Sequence, residues 1–392
     1  MTPYVKIRNA HPTLRFQDVA RGKTARGRHL FENVGIHYTY GARGAIYQFL
    51  RSLLGDKGNF VLLPAFHCPT VVDPVVRAGY KVLFYGIHRD FSIDYDDLVQ
   101  KLSPDVAVVL VINFCGFPAD IDRVLELREK YDYYLLDDWA HSFLRGESEK
   151  LTGDRADAAV FSFYKIVPSY MGGGLRINTP YIPFPPVGKT IGAGHSVVVL
   201  KRLAEQVVDN AEGGAIKRVL QSIERARLSL KGENHPSQND AAPKMEEVYP
   251  FHEELASARM PWFARAILER GNLDEIVSLR RRNYLLVDRH LRENEHIQKV
   301  FRALPKDVCP WGYPVLLRER SRSDRVLRER GVPLFTFGEM LHPLVSQAER
   351  SAREDAEYLS QHLLLLAIHQ NLRSEDVLGY CRTINEFFST SG

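Results

Sequence analysis

The stretch DAAVFSFYKIVPSYMGGG, residues 157–174, guides the interpretation of the whole sequence. It places Ser162 three residues before Lys165 at the end of an apolar run, and three glycines begin seven residues after the lysine. The run predicts a buried strand, and a lysine at its end is unusual because ammonium groups are rarely buried unless something uses them. A partly desolvated lysine has a lowered pKa and attacks carbonyl carbons, so the stretch predicts a reactive amine.

Short apolar segments alternate with helical ones around this stretch. Strands are predicted over 60–63, 81–85, 106–112 and 133–136, and helices over 43–54, 71–78 and 119–131. This alternation predicts an α/β fold with a mostly parallel sheet covered by helices on both faces. In such sheets ligands bind beyond the carboxyl ends of the strands, which is where Lys165 is expected.

The length of 392 residues predicts one large domain and a smaller one. Residues 1–34 are polar and basic, and we expect an exposed arm. Residues 35–250 are predicted to form the large domain, including a helical insert at about 195–245. Residues 251–392 are predicted to form a smaller α+β domain.

Three further segments are expected to have no chemical role. The arginine run 280–282 and the charged run 318–330 are predicted to be exposed, since charge runs usually form solvated helix faces. Glycines 172–174, taken alone, predict a flexible turn.

Composition excludes several classes of protein. The net charge of +4, from 52 basic and 48 acidic residues, is too mild to predict a nucleic-acid partner. The apolar run 106–114 is too short to span a bilayer, so no membrane association is expected. The four cysteines are widely spaced, which predicts neither a metal site nor disulfides and is typical of the reducing cytoplasm. The first residues lack the apolar core of a secretory signal, which also favours a cytoplasmic protein.

The segment Gly41-Ala42-Arg43-Gly44-Ala45 opens the first predicted helix. Two glycines at a helix start let backbone amides approach an anion, which the helix dipole also favours. Taken alone, this short motif favours an ordinary helix start.

The segment Asp137-Asp138-Trp139-Ala140-His141 follows a predicted strand. Successive strand residues face opposite sides, so only one aspartate can meet a given ligand, and His141 lies one turn beyond Asp138. A buried carboxylate that faces a pyridine nitrogen keeps it protonated. Taken alone, the pair favours a capping aspartate and a core histidine.

Two further segments end strands of the predicted sheet. His67 and Cys68 lie between a strand and a helix, where a ring or a soft side chain could cover a planar cofactor. A catalytic pair of these two is disfavoured because adjacent side chains rarely meet and no third group orients them. Asn113 lies at the end of the most apolar strand. It could form a hydrogen bond with a phenolic oxygen, or it could be an ordinary polar residue before a turn.

The order and spacing of these segments resemble the DegT/StrS-type family of sugar aminotransferases, which depend on pyridoxal phosphate (PLP) and have the type I aspartate aminotransferase fold. GARGAI resembles the family's SGTAAL loop, GFPADID is similar to GxPADMD, and LLDDWAHSF is similar to IEDAAQAHG. DAAVFSF matches almost letter for letter. The resemblance covers roughly residues 35–178 well and 255–392 loosely.

This resemblance implies roles for individual residues. Lys165 falls on the lysine that forms a Schiff base with PLP, and Asp138 falls on the aspartate at the pyridine nitrogen, so both are predicted to be catalytic. The cofactor-binding residues it implies are Ala42, Arg43, His67, Cys68, Asn113, Asp138, His141, Ser162, Lys165 and Ser257. The family's active sites lie at a homodimer interface, where Ser257 and Arg259 would act on the partner's site.

The resemblance implies transfer of an amino group from an amino acid, glutamate, to a ketone such as a nucleotide-linked keto-sugar. The chain departs from the family pattern in several places. The Ser162–Lys165 spacing is three rather than five, Arg43 replaces a threonine, Cys68 replaces a stacking aromatic residue, and Ser257 replaces an asparagine. These departures leave two alternatives open: another PLP-dependent reaction on a non-sugar substrate (amination, decarboxylation or elimination), and a non-catalytic regulatory protein.

Overall fold

The computed structural model describes residues 9–20, 31, 35–146, 151–186, 188–210 and 250–389. These residues form a seven-stranded sheet, a four-stranded sheet and the helices around them. The strands of the larger sheet are β1 (Ile36–Thr39), β2 (Phe60–Pro64), β3 (Lys81–Tyr85), β4 (Val106–Ile112), β5 (Tyr134–Trp139), β6 (Ala158–Ser162) and β7 (Gly173–Ile177).

The larger sheet has the strand order β1-β7-β6-β5-β4-β2-β3. Strands β2 to β6 run parallel, whereas β7 is antiparallel to both β6 and β1. This arrangement confirms the α/β fold with a mostly parallel sheet that the sequence predicts. Parallel strands need crossover connections, and these place helices on the two faces of the sheet.

Helices surround both sheets. They are α1 (Phe16–Ala20), α2 (Ala42–Ser52), α3 (Val72–Ala78), α4 (Tyr95–Lys101), α5 (Asp122–Glu126), α6 (Ala193–Asp209), α7 (Glu253–Ala256), α8 (Trp262–Arg270), α9 (Leu273–His290), α10 (Arg320–Glu329), α11 (Arg350–His362) and α12 (Ser374–Ser389). Strand β4, VAVVLVI, is buried along its whole length, as expected for a β-branched run covered on both faces. No helix among the described residues is both long enough and apolar enough to cross a membrane.

The smaller sheet is antiparallel and comes from the last third of the chain. Its strands are β8 (Ile297–Lys299), β9 (Tyr313–Leu317), β10 (Leu334–Phe335) and β11 (Leu363–Leu366), in the order β10-β11-β9-β8. Helices α9 and α12 pack against each other beside it. The predicted domain boundary at residues 250 and 251 stays a prediction.

The N-terminal arm differs from the exposed segment that its polarity predicts. Leu14 is buried, its amide donates to Gln206 Oε1 of α6 at 3.0 Å, and the His11 ring lies 4.7 Å from that of Phe335. Phe31 is also buried, with its ring edge-on to Phe163. A few apolar side chains anchor the arm to the core, although its overall composition is polar. The basic run 21–28 lies outside the described residues.

Three other expectations need correction. The helix predicted over 119–131 is regular only over Asp122–Glu126, because the Asp120 side chain accepts from the Asp122 amide and begins the helix late. Glycines 173 and 174 begin strand β7 rather than a turn, since they pair with Ser162 and Phe161. Arg280 is fully buried, and its two neighbours in the run are half-buried.

The helical insert is described only in part. Helix α6 covers its first residues, and its side chains contact the N-terminal arm through Gln206 and Asn210. Residues 211–249, which include most of the predicted helical insert, lie outside the described residues. The charged run 318–330 forms the mostly exposed helix α10, as its sequence predicts.

Candidate active site

A cavity of about 410 Å³ opens where strands β4, β5 and β6 end. Ile112, Asp138 and Ser162 contribute from these three strands, and Gly41 and Ala42 contribute from the start of α2. The volume lies within the range of small-molecule sites, roughly 300 to 1,000 Å³. The place also agrees with the rule that α/β sheets bind ligands beyond the carboxyl ends of their strands.

The start of α2 supplies backbone donors to this cavity. The amides of Gly44 and Ala45 already bond to the Gly41 carbonyl, at 2.9 and 3.2 Å, which begins the helix. Gly41 has no side chain to cap the first turn, and the first amides of a helix have no carbonyl before them within the helix. Together with the helix dipole, these amides favour an anion.

The hydroxyl residues Ser162 and Thr70 line the same cavity. Gly173 lets strand β7 lie against the α2 start, because a Cβ atom there would be 2.3 Å from the Gly41 carbonyl carbon. The close packing of these two backbones therefore holds Ser162, which pairs with Gly173, near the first amides of α2. The result is a cradle of backbone and hydroxyl donors.

Lys165 reaches the cavity from a single 3-10 turn, Phe163–Lys165, that directly follows β6. Gly172 closes the loop after the turn, because its carbonyl accepts from the Phe163 amide and its amide donates to the Tyr40 carbonyl. Its φ is +120°, a value that residues with a side chain rarely adopt. The turn therefore fixes where the lysine leaves the sheet.

The Lys165 side chain is half-buried, and its Nζ lies 4.6 Å from the centroid of the Trp311 ring. Among the described residues, no carboxylate lies within ion-pair distance of this Nζ. Burial lowers the pKa of Lys165, and the nearby Cys68 and Asp138 oppose that shift. A lower pKa increases the fraction of neutral amine, the form that attacks carbonyl carbons.

Asp138 and Asp137 leave β5 on opposite faces of the sheet. Asp138 is buried beside the cavity, and its Oδ1 accepts from the Ala140 amide at 2.7 Å. Burial raises the pKa of its carboxyl to about 6, although the nearby Lys165 opposes this shift. Asp137 instead accepts from Asn113 at 2.6 Å and from the Trp139 indole at 2.5 Å. The alternation of strand side chains thus gives one aspartate to the cavity and the other to the scaffold.

His141 lines the cavity as a neutral ring. Its Nδ1 accepts from the Cys115 amide at 3.0 Å, which leaves the proton on Nε2. Burial and the nearby Lys165 keep the pKa of His141 well below its usual value. The ring stacks on Trp311 with centroids 4.3 Å apart and meets Phe337 edge-on at 4.5 Å.

The structure brings most of the predicted site residues together. Those that line the cavity are Ala42, Arg43, Cys68, Asp138, His141, Ser162 and Lys165. Sequence reasoning missed Trp311 and Phe337, which reach the site from loops beside the smaller sheet, and also Tyr40 and Tyr170. No local motif marks these aromatic residues, because only the tertiary fold brings them to the cavity.

Three predicted residues do not line the cavity. His67 is fully buried with its ring stacked on Phe84 and its Nδ1 2.8 Å from the Pro64 carbonyl. The Asn113 amide donates to Asp137 and to the Asp138 carbonyl. The predicted cofactor contacts of His67 and Asn113 stay predictions. Ser257 borders a separate groove, and its predicted role in a partner's site stays a prediction.

Comparison with known proteins agrees with the fold and the motifs. Residues 39–177, which hold most of the motifs that resemble this family, match the DegT/DnrJ/EryC1/StrS aminotransferase family. A UDP-4-amino-4,6-dideoxy-N-acetyl-beta-L-altrosamine transaminase of Campylobacter jejuni is 31% identical over 130 residues, which cover 32% of this chain and 35% of that protein. A GDP-perosamine synthase of Vibrio cholerae is 26% identical over 135 residues, covering 33% and 37%. The matched region thus spans about a third of the length of these relatives.

Solved structures resemble the chain over nearly its whole length. Helicobacter pylori PseC, an aminotransferase involved in the biosynthesis of pseudoaminic acid, has a TM-score of 0.66 at 17% identity and covers 98% of this chain and 100% of its own. Spr1654 from Streptococcus pneumoniae, in its PLP-form, has a TM-score of 0.66 at 15% identity and covers 98% and 99%. At these identities the likeness shows the fold, and it confirms the type I fold that the motifs predict.

Asp138→Asn is expected to stabilise the protein prepared without cofactor at about pH 8. Because burial raises the pKa of Asp138 to about 6, the folded chain keeps a proton that the unfolded chain releases between about pH 4 and 6. The wild type therefore loses stability as the pH rises through this window, by roughly 3 kcal/mol, and the asparagine variant does not. Urea unfolding should show the variant's advantage at about pH 8 and its disappearance at about pH 4.

Asp137→Asn is the matched control. Its carboxyl is equally buried and burial also raises its pKa to about 6, but both of its oxygens accept hydrogen bonds. An amide group would turn one acceptor into a donor, at a cost of about 1–3 kcal/mol. The gain at alkaline pH should therefore be smaller than for Asp138→Asn. Equal gains for the two variants would contradict the assignment of Asp138 to a position where only one carboxyl oxygen accepts a hydrogen bond from the protein.

Proposed function

We propose that this chain is a PLP-dependent aminotransferase that moves an amino group from an amino acid, glutamate, to a nucleotide-linked keto-sugar. The observation that carries the proposal is the presence of three complementary groups in one cavity. They are an amine with a lowered pKa at Lys165, a buried carboxylate at Asp138, and the first amides of a helix at Ala42.

The residues of the cavity fit PLP in both shape and chemistry. The α2 amides, Ser162 and Thr70 offer donors for a phosphate, and Gly173 provides the close approach that the cradle requires. On the other side of the cavity, Asp138 would meet the pyridine nitrogen, and the Nε2 proton of His141 is available for the phenolic oxygen. Lys165 would bind the aldehyde carbon.

When bound, PLP supplies a carbonyl that takes up the donor's amino group and a ring that withdraws electrons from the donor's α-carbon. The Asp138 carboxylate would hold a proton at the ring nitrogen, which increases that withdrawal. The raised pKa of Asp138 describes the protein without cofactor. A protonated ring nitrogen next to the carboxylate would favour its charged form and lower that pKa. Asp138 thus gains its partner only when the site is filled.

The Lys165 amine would move the proton of the reaction. It would take a proton from the donor α-carbon as a general base and return it to the cofactor's carbon as a general acid. Both roles need a pKa below that of a solvated lysine, because the amine must be neutral at the start of the transfer. Burial lowers the pKa of Lys165 in this direction.

Two aromatic residues from loops beside the smaller sheet would keep water out of the cavity. Trp311 and Phe337 are both nearly buried and stand against His141 and the end of Lys165. Excluding water strengthens the interactions between charged groups in the cavity and prevents side reactions. Tyr40 and Tyr170 border the open side of the cavity.

The acceptor is proposed from the relatives and from the cavity rim. The matched relatives bear the names of nucleotide-sugar aminotransferases. At the rim, Arg43 donates from Nη1 to the Pro250 carbonyl at 2.7 Å, so a cation lies at the entrance and would favour substrates that carry carboxylate or phosphate groups.

Lys165→Ala should abolish covalent attachment of PLP. Wild-type protein incubated with PLP and treated with borohydride is expected to gain one cofactor mass on the peptide that contains Lys165, and the variant to gain none there. Lys130→Ala removes an exposed lysine distant from the cavity and should label like the wild type. A wild type that binds no PLP at all would reject the enzyme assignment.

The class of acceptor can be determined by adding candidate ketones to the pyridoxamine form of the enzyme, which is prepared with glutamate, and following its absorbance. Nucleotide-linked keto-sugars are expected to return its absorbance to that of the pyridoxal form, whereas keto-sugars without the nucleotide should react at least about tenfold more slowly, since remote binding energy is lost. Non-sugar ketones serve as the comparison. If these ketones react faster than the keto-sugars, the proposed substrate is wrong and the enzyme aminates a non-sugar ketone.

We also propose that the protein acts as a homodimer with its active sites at the interface. Trp262 of α8 is 77% exposed, and Val197 and Val198 of α6 are 65% and 57% exposed. A second copy that packs against α6 and α8 would cover these apolar side chains. Sedimentation should give a mass of twice 44.8 kDa, and Trp262→Glu should shift it toward that of one chain. A wild type that sediments as a single chain would contradict the proposal.

A further inference from the structure

Arg280 on helix α9 is a fully buried arginine whose described contacts are all neutral. Its Nε donates to Gln370 Oε1 at 3.1 Å, and its Nη1 donates to the carbonyls of Pro310 and Trp311 at 3.3 and 3.0 Å. Its Nη2 donates to the carbonyl of Lys165 at 3.2 Å. Among the described residues no carboxylate pairs with it, although burying a cation without a counterion is costly.

Gln370 extends this contact to the next residue of the active-site turn. It accepts from Arg280 through Oε1 and donates from Nε2 to the Ile166 carbonyl at 2.9 Å. The carbonyls of Lys165 and Ile166 are thus both held by a pair of side chains from the C-terminal part of the chain. The 3-10 turn that carries the lysine is fixed from outside the larger sheet.

The same guanidinium also holds the segment that carries Trp311. The Trp311 ring lies beneath Lys165 Nζ, at 4.6 Å, and against the His141 ring, at 4.3 Å. Arg280 therefore bonds to the backbone of the lysine and to the backbone of the aromatic residue that its amine contacts. One rigid, planar group with five donors suits this task, and a lysine at position 280 could not make all four contacts.

We propose that Arg280, together with Gln370, is a positioning residue that sets the distance between the Lys165 amine and the ring system of Trp311 and His141. This inference rests on the proposed function, because it concerns the lysine that would hold PLP. Charge-assisted hydrogen bonds to the two backbones fix the start of the lysine side chain. A displacement of about 1 Å at a reacting group can cost about a hundredfold in rate, so this control matters for Lys165.

The test compares Arg280→Met with Arg281→Met. Arg281 is the next residue of the same helix and also donates to backbone carbonyls, those of Pro305 and Val308, but it does not contact Lys165. The probe is PLP itself, and two quantities are measured. They are the rate constant for covalent attachment to Lys165, trapped by borohydride and quantified by mass spectrometry, and the pH midpoint of the bound cofactor's absorbance.

Arg280→Met is expected to slow attachment by about tenfold or more and to shift the pH midpoint, because the amine no longer lies at a fixed place in the desolvated cavity. Arg281→Met should leave the attachment rate within about twofold of the wild type and the midpoint unchanged, although both variants should melt at lower temperature. Equal rates and midpoints for the two variants would overturn the inference. Absence of attachment in the wild type would instead overturn the proposed function.

Two milder variants keep the inference testable if Arg280→Met does not fold. Arg280→Lys keeps the charge with fewer and less directed donors, and Gln370→Glu keeps the acceptor for Arg280 but removes the donor to the Ile166 carbonyl. Each is expected to slow attachment by at least about threefold, in proportion to the lost contacts. Folded variants with the wild-type rate and midpoint would overturn the inference.

Discussion

The removal of water from around Lys165 is the constraint on which the rest of the candidate site depends. The lysine leaves the sheet through a single turn and enters a cavity where its amine meets an aromatic ring and no carboxylate among the described residues. Burial lowers the pKa of Lys165 and raises that of Asp138, so the charged form of each group is less favourable here than in water. A ligand that brings a carbonyl to one and a protonated nitrogen to the other would relieve both costs at once.

The fold supplies this cavity through the geometry of its backbone. Parallel strands β4, β5 and β6 end at one edge, which brings Ile112, Asp138 and Ser162 together although about 25 residues separate each from the next. Strand β7 then returns antiparallel, and Gly173 lets it lie against the start of α2. The donor cradle is therefore a product of strand order and of one missing side chain, not of any charged residue.

The sequence was sufficient to predict the sheet and to place Lys165 and Asp138 at strand ends, because each follows an apolar strand in a recognisable order. It did not predict the orientation of His67 and Asn113, since a residue at a strand end can turn toward a cavity or into the scaffold, and here both turn into the scaffold. It also failed for Arg280, because an arginine run is usually solvated and only the tertiary fold shows the carbonyls that accept from it. Trp311 and Phe337 come from a part of the chain with no motif.

Two parts of the chain line the cavity, and only one of them matches the family. The segment 39–177 supplies the lysine, the aspartate and the donor cradle, and it is the segment that matches the family. Residues from outside that segment, including His252, Leu255 and Phe337, form the facing wall. In the proposed function, a substrate bound above the cofactor would contact that wall, and the residues beneath it would perform the chemistry. Changes in the wall can therefore alter the acceptor without altering the reaction, which is why relatives that share the matched segment need not share a substrate.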